Sequence, residues 1–427
     1  MDKTRYDKIN ETLYSHKLAN GLEVYIIPKP NYNLTYSTFV TKFGSINNRF
    51  IPYGENEYLD VPLGVAHFLE HKMFEMENGQ DAVELFADLG AETNAFTDYE
   101  QTAYIATSTT KTNEVINLLL DFVQTPVFKD DSIQREQGII TQELLMYLDK
   151  PSSRSHIGIM QNMFAKSPIR EDIVGTKESI KAINKDVLYK CYNTFYHPSN
   201  MILMIVGNVN PEEIIKVVEE NQNRKHFNPP QEIRKEVIIE DNQVNNASSS
   251  IKMDIIMPKV AIGLKLPQLS YDVNQLMIDE LKIKMILENT FGLSSDNYQE
   301  MLNQEIFNTG FSYSVTLSYY YNYIIITANT LKPKEFCDFI KTKLLELKDF
   351  QMKEEDFIPM KRALIGSFIK SFNHLDFLAH AYVDYKLKNC DLFNSLDLLE
   401  NITINDLSKY NHLFTEKALS EFIIYTK

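Results

Sequence analysis

The sequence predicts an α+β chain of two similar halves, each an antiparallel β-sheet packed with α-helices. Three observations lead there. At 427 residues the chain is too long for one ordinary core and suggests two to four domains. Strand and helix patterns run in one order through the first half, and a similar order recurs after a polar linker. Finally, Ile183–Phe195 (INKDVLYKCYNTF) set against Ile402–Phe414 (ITINDLSKYNHLF) matches at Ile183/Ile402, Leu188/Leu407, Lys190/Lys409 and Phe195/Phe414. Each segment precedes a terminal strand pattern.

The elements follow from local pattern. Gly21–Pro28 comes after an Asn20-Gly21 turn, and Leu34–Val40 alternates and is rich in β-branched residues, so both read as strands. A polar loop from Gly44 to Asp60 leads to a helix at Pro62–Met76. A second helix, Asp81–Leu89, stops at Gly90. A strand pair at Glu92–Phe96 and Thr102–Thr107 precedes a helix at Thr112–Val123, and a long helix runs from Ser132 to the Asp149-Lys150-Pro151 stop. Met201–Val209 reads as a short buried strand. Glu220–Arg234, with Asn228-Pro229-Pro230, is the clearest linker. The second pass places strands at Val260–Leu266 and within Gly310–Thr330, helices at Val273–Thr290, Lys334–Asp349 and Glu354–Leu387, and a last strand at Ser420–Thr426.

Composition narrows the function. Apolar residues make up 44% and charged residues 24%, which excludes disordered and fibrous classes. A net charge of −15 argues against a nucleic-acid partner and a basic membrane-surface patch. Met1–Lys8 has no secretory h-region, and no apolar run approaches the roughly 20 residues of a membrane helix. Cys191, Cys337 and Cys390 are widely spaced without a CxxC pair, as expected of reduced thiols. A soluble cytoplasmic protein is expected.

The residues with chemistry are His67-Phe68-Leu69-Glu70-His71. At 3.6 residues per turn His71 lies about 40° around the helix from His67, and Glu70 about 60° to the other side. Two imidazoles one turn apart can bind one zinc ion, with the carboxylate beside its open position. A chance His-x-x-Glu-His is expected in only about one in seventy chains of this composition, so a solvated helix-surface pair is the weaker reading. A catalytic zinc needs a third protein ligand. The long helix offers Glu136 and Glu143, about 20° apart in projection. One could ligate while the other orients a histidine N–H. The stretch Glu92–Thr97, a short strand beside this helix, could pair with an extended peptide, although an ordinary sheet edge has the same composition.

Gly64–His71, Asn94-Ala95-Phe96-Thr97 and the Glu136/Glu143 helix together resemble the inverted-zincin metallopeptidases. This is the pitrilysin family, which includes insulin-degrading enzyme and the mitochondrial processing peptidase. Gly138–Tyr147 and Phe195–Met201 are similar to its short bacterial members, with one active and one degenerate half. The resemblance implies one Zn2+ per chain on His67, His71 and Glu143, Glu70 as general base, and Glu136 as the second acidic position. It implies Asn94, Ala95 and Phe96 as the strand that holds substrate backbone. Residues 1–222 become the catalytic half, 223–234 the linker and 235–427 the inactive half, in a clamshell arrangement. Longer members place an Arg seven residues before a Tyr in the second half. Here Tyr313 fits, but Ile306 stands at the Arg position, so carbonyl stabilisation is expected from a partner chain or from zinc.

The expected activity is endopeptidase cleavage of short unfolded peptides inside a chamber. Zinc would lower the pKa of water from about 15.7 towards 7 and polarise the carbonyl, while Glu70 takes the water's proton and passes it to the leaving amine. Alternatives are a non-catalytic peptide-binding or scaffold subunit, or a maturation protease for one ribosomal peptide such as a bacteriocin. Four domains close a chamber in this family and this chain supplies two. The resemblance therefore implies a homodimer, or a heterodimer with a paralogue lacking the metal motif.

Overall fold

Fourteen strands and fifteen α-helices make up the computed structural model, which describes every residue from Met1 to Lys427. The strands are β1 (Asp2–Tyr6), β2 (Glu11–Lys17), β3 (Glu23–Pro28), β4 (Thr35–Thr41), β5 (Arg49–Phe50), β6 (Leu59–Asp60), β7 (Ala91–Thr97), β8 (Thr102–Ser108), β9 (Met201–Gly207), β10 (Ser248–Met253), β11 (Lys259–Lys265), β12 (Thr309–Leu317), β13 (Asn322–Asn329) and β14 (Leu419–Thr426). The helices of the first half are α1 (Val65–Met73), α2 (Ala82–Asp88), α3 (Thr112–Val123), α4 (Asp130–Asp149), α5 (Pro151–Met163), α6 (Lys177–Ala182), α7 (Lys185–Phe195) and α8 (Pro211–Asn223). Those of the second are α9 (Val273–Phe291), α10 (Asp296–Asn303), α11 (Pro333–Glu346), α12 (Glu354–Ser371), α13 (Leu375–Leu387), α14 (Asn394–Asn401) and α15 (Ile404–Leu407). None is long and apolar enough to cross a membrane.

The larger sheet has the order β1-β2-β3-β9-β4-β8-β7 and the smaller β10-β14-β11-β13-β12. From β3 onward the two share one plan: β3, β9, β4, β8 and β7 correspond to β10, β14, β11, β13 and β12. The duplication read from Ile183–Phe195 and Ile402–Phe414 is thus a duplication of topology, since these segments lead into the equivalent strands β9 and β14. Pairing is antiparallel except at β3/β9 and β10/β14, which are parallel. In each sheet that strand returns after a long helical excursion, and a crossover of such length permits parallel entry.

Two compact units result. The first comprises residues 1–144, 172–236 and 369–388; the second comprises 145–171, 237–368 and 389–427. Each therefore takes a helix from the opposite half of the sequence. Helix α13 packs on β4 and β9 of the larger sheet, and α5 packs on β11 and β14 of the smaller. This accounts for the composition of the central strands. All seven residues of β4 and of β9 are buried, because α3 lies against β4 and β8 while α13 covers the other face. In the smaller sheet Val260, Ile262 and Leu264 of β11 join the core under α9 and α11. The alternate residue Gly263 faces Ile159 and Met163 of α5.

The continuous helix expected over 354–387 is two helices. After Ser371 the backbone tightens, with the Asn373 N–H donating to Lys370 O and the His374 N–H to Ser371 O, and α13 restarts from an extended His374. Strands β1, β2 and β10 had no counterpart in the sequence reading, and the stretch from Gly44 to Asp60, expected as a loop, contains the short antiparallel pair β5/β6. Four of the five β1 residues are exposed, so no apolar alternation marks it.

Close packing of the exchanged helix gives a test. A Cβ on Gly158 of α5 would lie 2.3–2.5 Å from Phe422 ring atoms, whereas a Cβ on Gly138 of α4 would meet nothing within 4 Å. Gly158→Ala should therefore lower the thermal midpoint, at a cost of about 1–3 kcal/mol from overpacking. Gly138→Ala should raise it, by about 0.5–1 kcal/mol of helix propensity. Thermal unfolding of both variants in parallel checks the contrast.

Candidate metal centre

Helix α1 opens at Gly64, whose φ of +84° suits glycine and whose missing Cβ leaves room for the Val174 carbonyl oxygen, 2.2 Å from where a Cβ would sit. Its apolar residues Val65, Ala66, Phe68, Leu69 and Met73 are buried. That leaves His67, Glu70 and His71 on the side turned towards α4 and β7. His67 and Glu70 are themselves buried, at 8% and 7% exposure. Lys72 fixes α1 against the start of α4: its Nζ donates to Ser132 Oγ at 2.9 Å and pairs with Glu75.

On α4, Glu136 and Glu143 both reach α1. His71 Nδ1 lies 2.9 Å from Glu136 Oε1, the distance of an N–H···O bond, so that His71 Nε2 keeps its lone pair. That Nε2 is 3.4 Å from Glu143 Oε2, and His67 Nε2 is 3.7 Å from the same oxygen. The donor atoms of His67, His71 and Glu143 all lie within 4.8 Å of one another.

This donor set fits zinc. Tetrahedral zinc with bonds of about 2.0–2.2 Å puts neighbouring ligand atoms roughly 3.3–3.5 Å apart. The Glu143 Oε2 atom is buried and accepts no hydrogen bond from the protein, although two imidazole nitrogens stand close to it. An orphaned buried carboxylate oxygen between two lone-pair nitrogens is costly without a cation. The two histidines differ electrostatically. Burial, with the nearby His71, pushes His67 down to about 3, so it stays neutral and able to ligate. For His71, burial is outweighed by the hydrogen bond and charge of Glu136, and its pKa is raised.

Glu70 is bonded from the other side. Thr97 Oγ1, at the end of β7, donates to Glu70 Oε2 at 2.6 Å. Burial nevertheless raises the Glu70 carboxyl to about 7, against the opposing effects of the Thr97 bond and His71. Thr97 had no role in the sequence reading, although strand alternation places it with Ala91, Thr93 and Ala95 on the face opposite Phe96.

The remaining predicted residues are placed as follows. Asn94, Ala95 and Phe96 lie on β7, which pairs only with β8 and ends the sheet. Asn94 Oδ1 accepts from the Ala95 N–H at 2.9 Å, and Phe96 packs edge-on against His380 at 5.2 Å. Tyr313 lies in the second unit on β12, the counterpart of β7, with its hydroxyl donating to Glu288. Ile306 is buried in the core of that unit, a setting that an unpaired Arg would not tolerate.

Residues 53–177 match the family described as Insulinase (Peptidase family M16), and residues 182–364 match that described as Peptidase M16 inactive domain. The zinc protease YmfH of Bacillus subtilis (strain 168), itself uncharacterized, is 40% identical over 402 residues, 94% of each chain. A crystal structure described as an M16-like peptidase from Alicyclobacillus acidocaldarius has a TM-score of 0.93 and 30% identity, covering 98% of this chain and 99% of that one. An Arabidopsis thaliana protein named as mitochondrial-processing peptidase subunit beta is 27% identical over 206 residues, 47% of this chain and 37% of that one.

Proposed function

The chain belongs to the M16 peptidase family, and from that premise we propose that it is a zinc-dependent endopeptidase acting on short unfolded peptides. The observation that carries this reading is the convergence of His67, His71 and Glu143 donor atoms beside a buried Glu70. In it, those three residues hold one zinc per chain, and Glu136 orients His71 through its Nδ1–H. Bound zinc would acidify water and polarise the scissile carbonyl. Glu70, held by Thr97, accepts the proton of the attacking water and returns it to the leaving amine. The open side of β7 at Asn94, Ala95 and Phe96 would pair with the peptide backbone. Tyr313 is a further proposed substrate contact.

The second half carries no His-x-x-Glu-His, and we propose a catalytic 1–222 joined by 223–234 to an inactive, wall-forming 235–427. We further propose that two chains enclose the substrate, either two copies or this chain with a paralogue lacking the motif. The match to a protein named as a peptidase subunit supports such pairing.

Elemental analysis tests the centre. Protein purified without chelator should hold about one zinc per chain and cut unstructured peptides. Glu143→Gln should lose more zinc affinity than Glu136→Gln, whose loss should stay within the roughly 10–100-fold typical of a ligand's outer partner. Zinc retained in Glu143→Gln but lost in Glu136→Gln would reverse the two roles. No metal bound even after zinc addition would end the proposal.

A further inference from the structure

The hairpin that brings Thr97 to Glu70 is tied to a helix encoded far downstream. Strands β7 and β8 end at the pair Thr97/Thr102, and Asp98–Gln101 make the turn. The turn is built on Asp98, whose Oδ1 accepts from the Glu100 and Gln101 N–H groups at 2.7 and 2.8 Å. Gln101 is 6% exposed, and its side-chain nitrogen has two hydrogens. One is donated to Asp98 Oδ2 at 3.0 Å, the other to Asp384 Oδ1 of α13 at 2.6 Å. Burial raises the carboxyls of both aspartates, Asp384 to about 6, so neither is held there by solvation. A second tie runs along α13, where His380 bonds the Tyr36 hydroxyl at 2.6 Å and supports Phe96.

Thr97 has little freedom of its own. Its one hydroxyl hydrogen goes to Glu70, and it is paired across the strands with Thr102, whose hydroxyl donates to Phe43 O at 2.8 Å. Its position therefore follows that of the turn. We propose that Asp384, acting through Gln101, is a positioning residue for Glu70: α13, from the half without the metal motif, aligns the general base of the other half. This rests on the zinc-peptidase reading above and adds to it a residue that touches neither substrate nor metal.

The test uses the full-length zinc-loaded protein and a fluorogenic peptide. Misplacing a reacting group by about 1 Å can cost about 100-fold. Asp384→Ala should accordingly lower kcat by about 10-fold or more, with KM within about twofold and zinc content unchanged. Asp384→Asn, which keeps an oxygen for Gln101, should restore most of kcat, and Gln101→Ala should reproduce the loss. In a Thr97→Val background Asp384→Ala should add little, because both act on one path. Hydrogen exchange should quicken at the 98–101 amides in Asp384→Ala and not in Asp384→Asn. Unchanged kcat in Asp384→Ala, full additivity with Thr97→Val, or loss of zinc together with kcat overturns the proposal. If the unmutated protein cuts no peptide, the peptidase reading falls by itself. The exchange comparison then still decides: quickening confined to the turn supports the tie, and its absence overturns it.

Discussion

Glu70→Gln should leave zinc content and folding intact while peptide hydrolysis falls by at least about 10⁴-fold. The amide is nearly isosteric, and its oxygen can still accept from Thr97, which now bonds Glu70 Oε2 at 2.6 Å. The water's proton, however, has nowhere to go, because an amide is not a base at neutral pH. General acid–base assistance is typically worth about 10²–10⁴-fold. Glu70 is proposed to serve both the attack and the departure of the amine, so the upper end is expected. The inactive protein should still bind peptide along β7, and a co-purified or added peptide should survive uncut. Turnover at the unmutated rate, free of contaminating protease, would remove Glu70 from the mechanism.

His67→Ala and His71→Ala should each abolish both zinc binding and activity. Either leaves only two protein ligands, and three are the usual minimum for a catalytic zinc. The zinc-affinity loss should therefore exceed the roughly 100-fold upper end for outer partners such as Glu136. The two variants should differ in stability. His67 sits buried with a Nδ1 that no protein group satisfies, so its removal relieves one unpaired polar atom. His71→Ala instead strips Glu136 of its hydrogen-bond partner and should unfold at the lower temperature. Zinc titration and thermal unfolding of the metal-free variants check both statements.

What the sequence made legible was whatever depends on one element at a time. Helical projection put His67, Glu70 and His71 on one side of α1 and Glu136 with Glu143 on one side of α4, and the structure brings these two sides together. Strand alternation marked β7 and β8 almost to the residue. Relations between distant elements were not legible. Periodicity gives a helix an apolar face but no partner for it, so nothing in Leu375–Leu387 says that it covers β4 and β9 rather than its own half's sheet. The Asp384–Gln101 bond, across 283 residues, has no local signature for the same reason. Thr97 was within reach. Its alternation with Phe96 turns it towards α1, but a threonine at a strand end is unremarkable until the buried carboxylate opposite is known.

The crossed ownership of α5 and α13 also bears on how the chain is made. Once β9 has left the ribosome, every strand of the larger sheet has been synthesised, yet one face of its central strands lacks its cover until α13 follows about 180 residues later, roughly 10–40 s at ordinary elongation rates. For that interval the nascent chain carries bare Val, Ile and Met side chains of β4 and β9. Helix α5, by contrast, is finished before any of its smaller sheet exists. The first unit therefore cannot close in order of synthesis, and expression of residues 1–222 alone would yield a sheet permanently open on one side. Such a fragment should aggregate unless a peptide spanning 369–388 is supplied in trans.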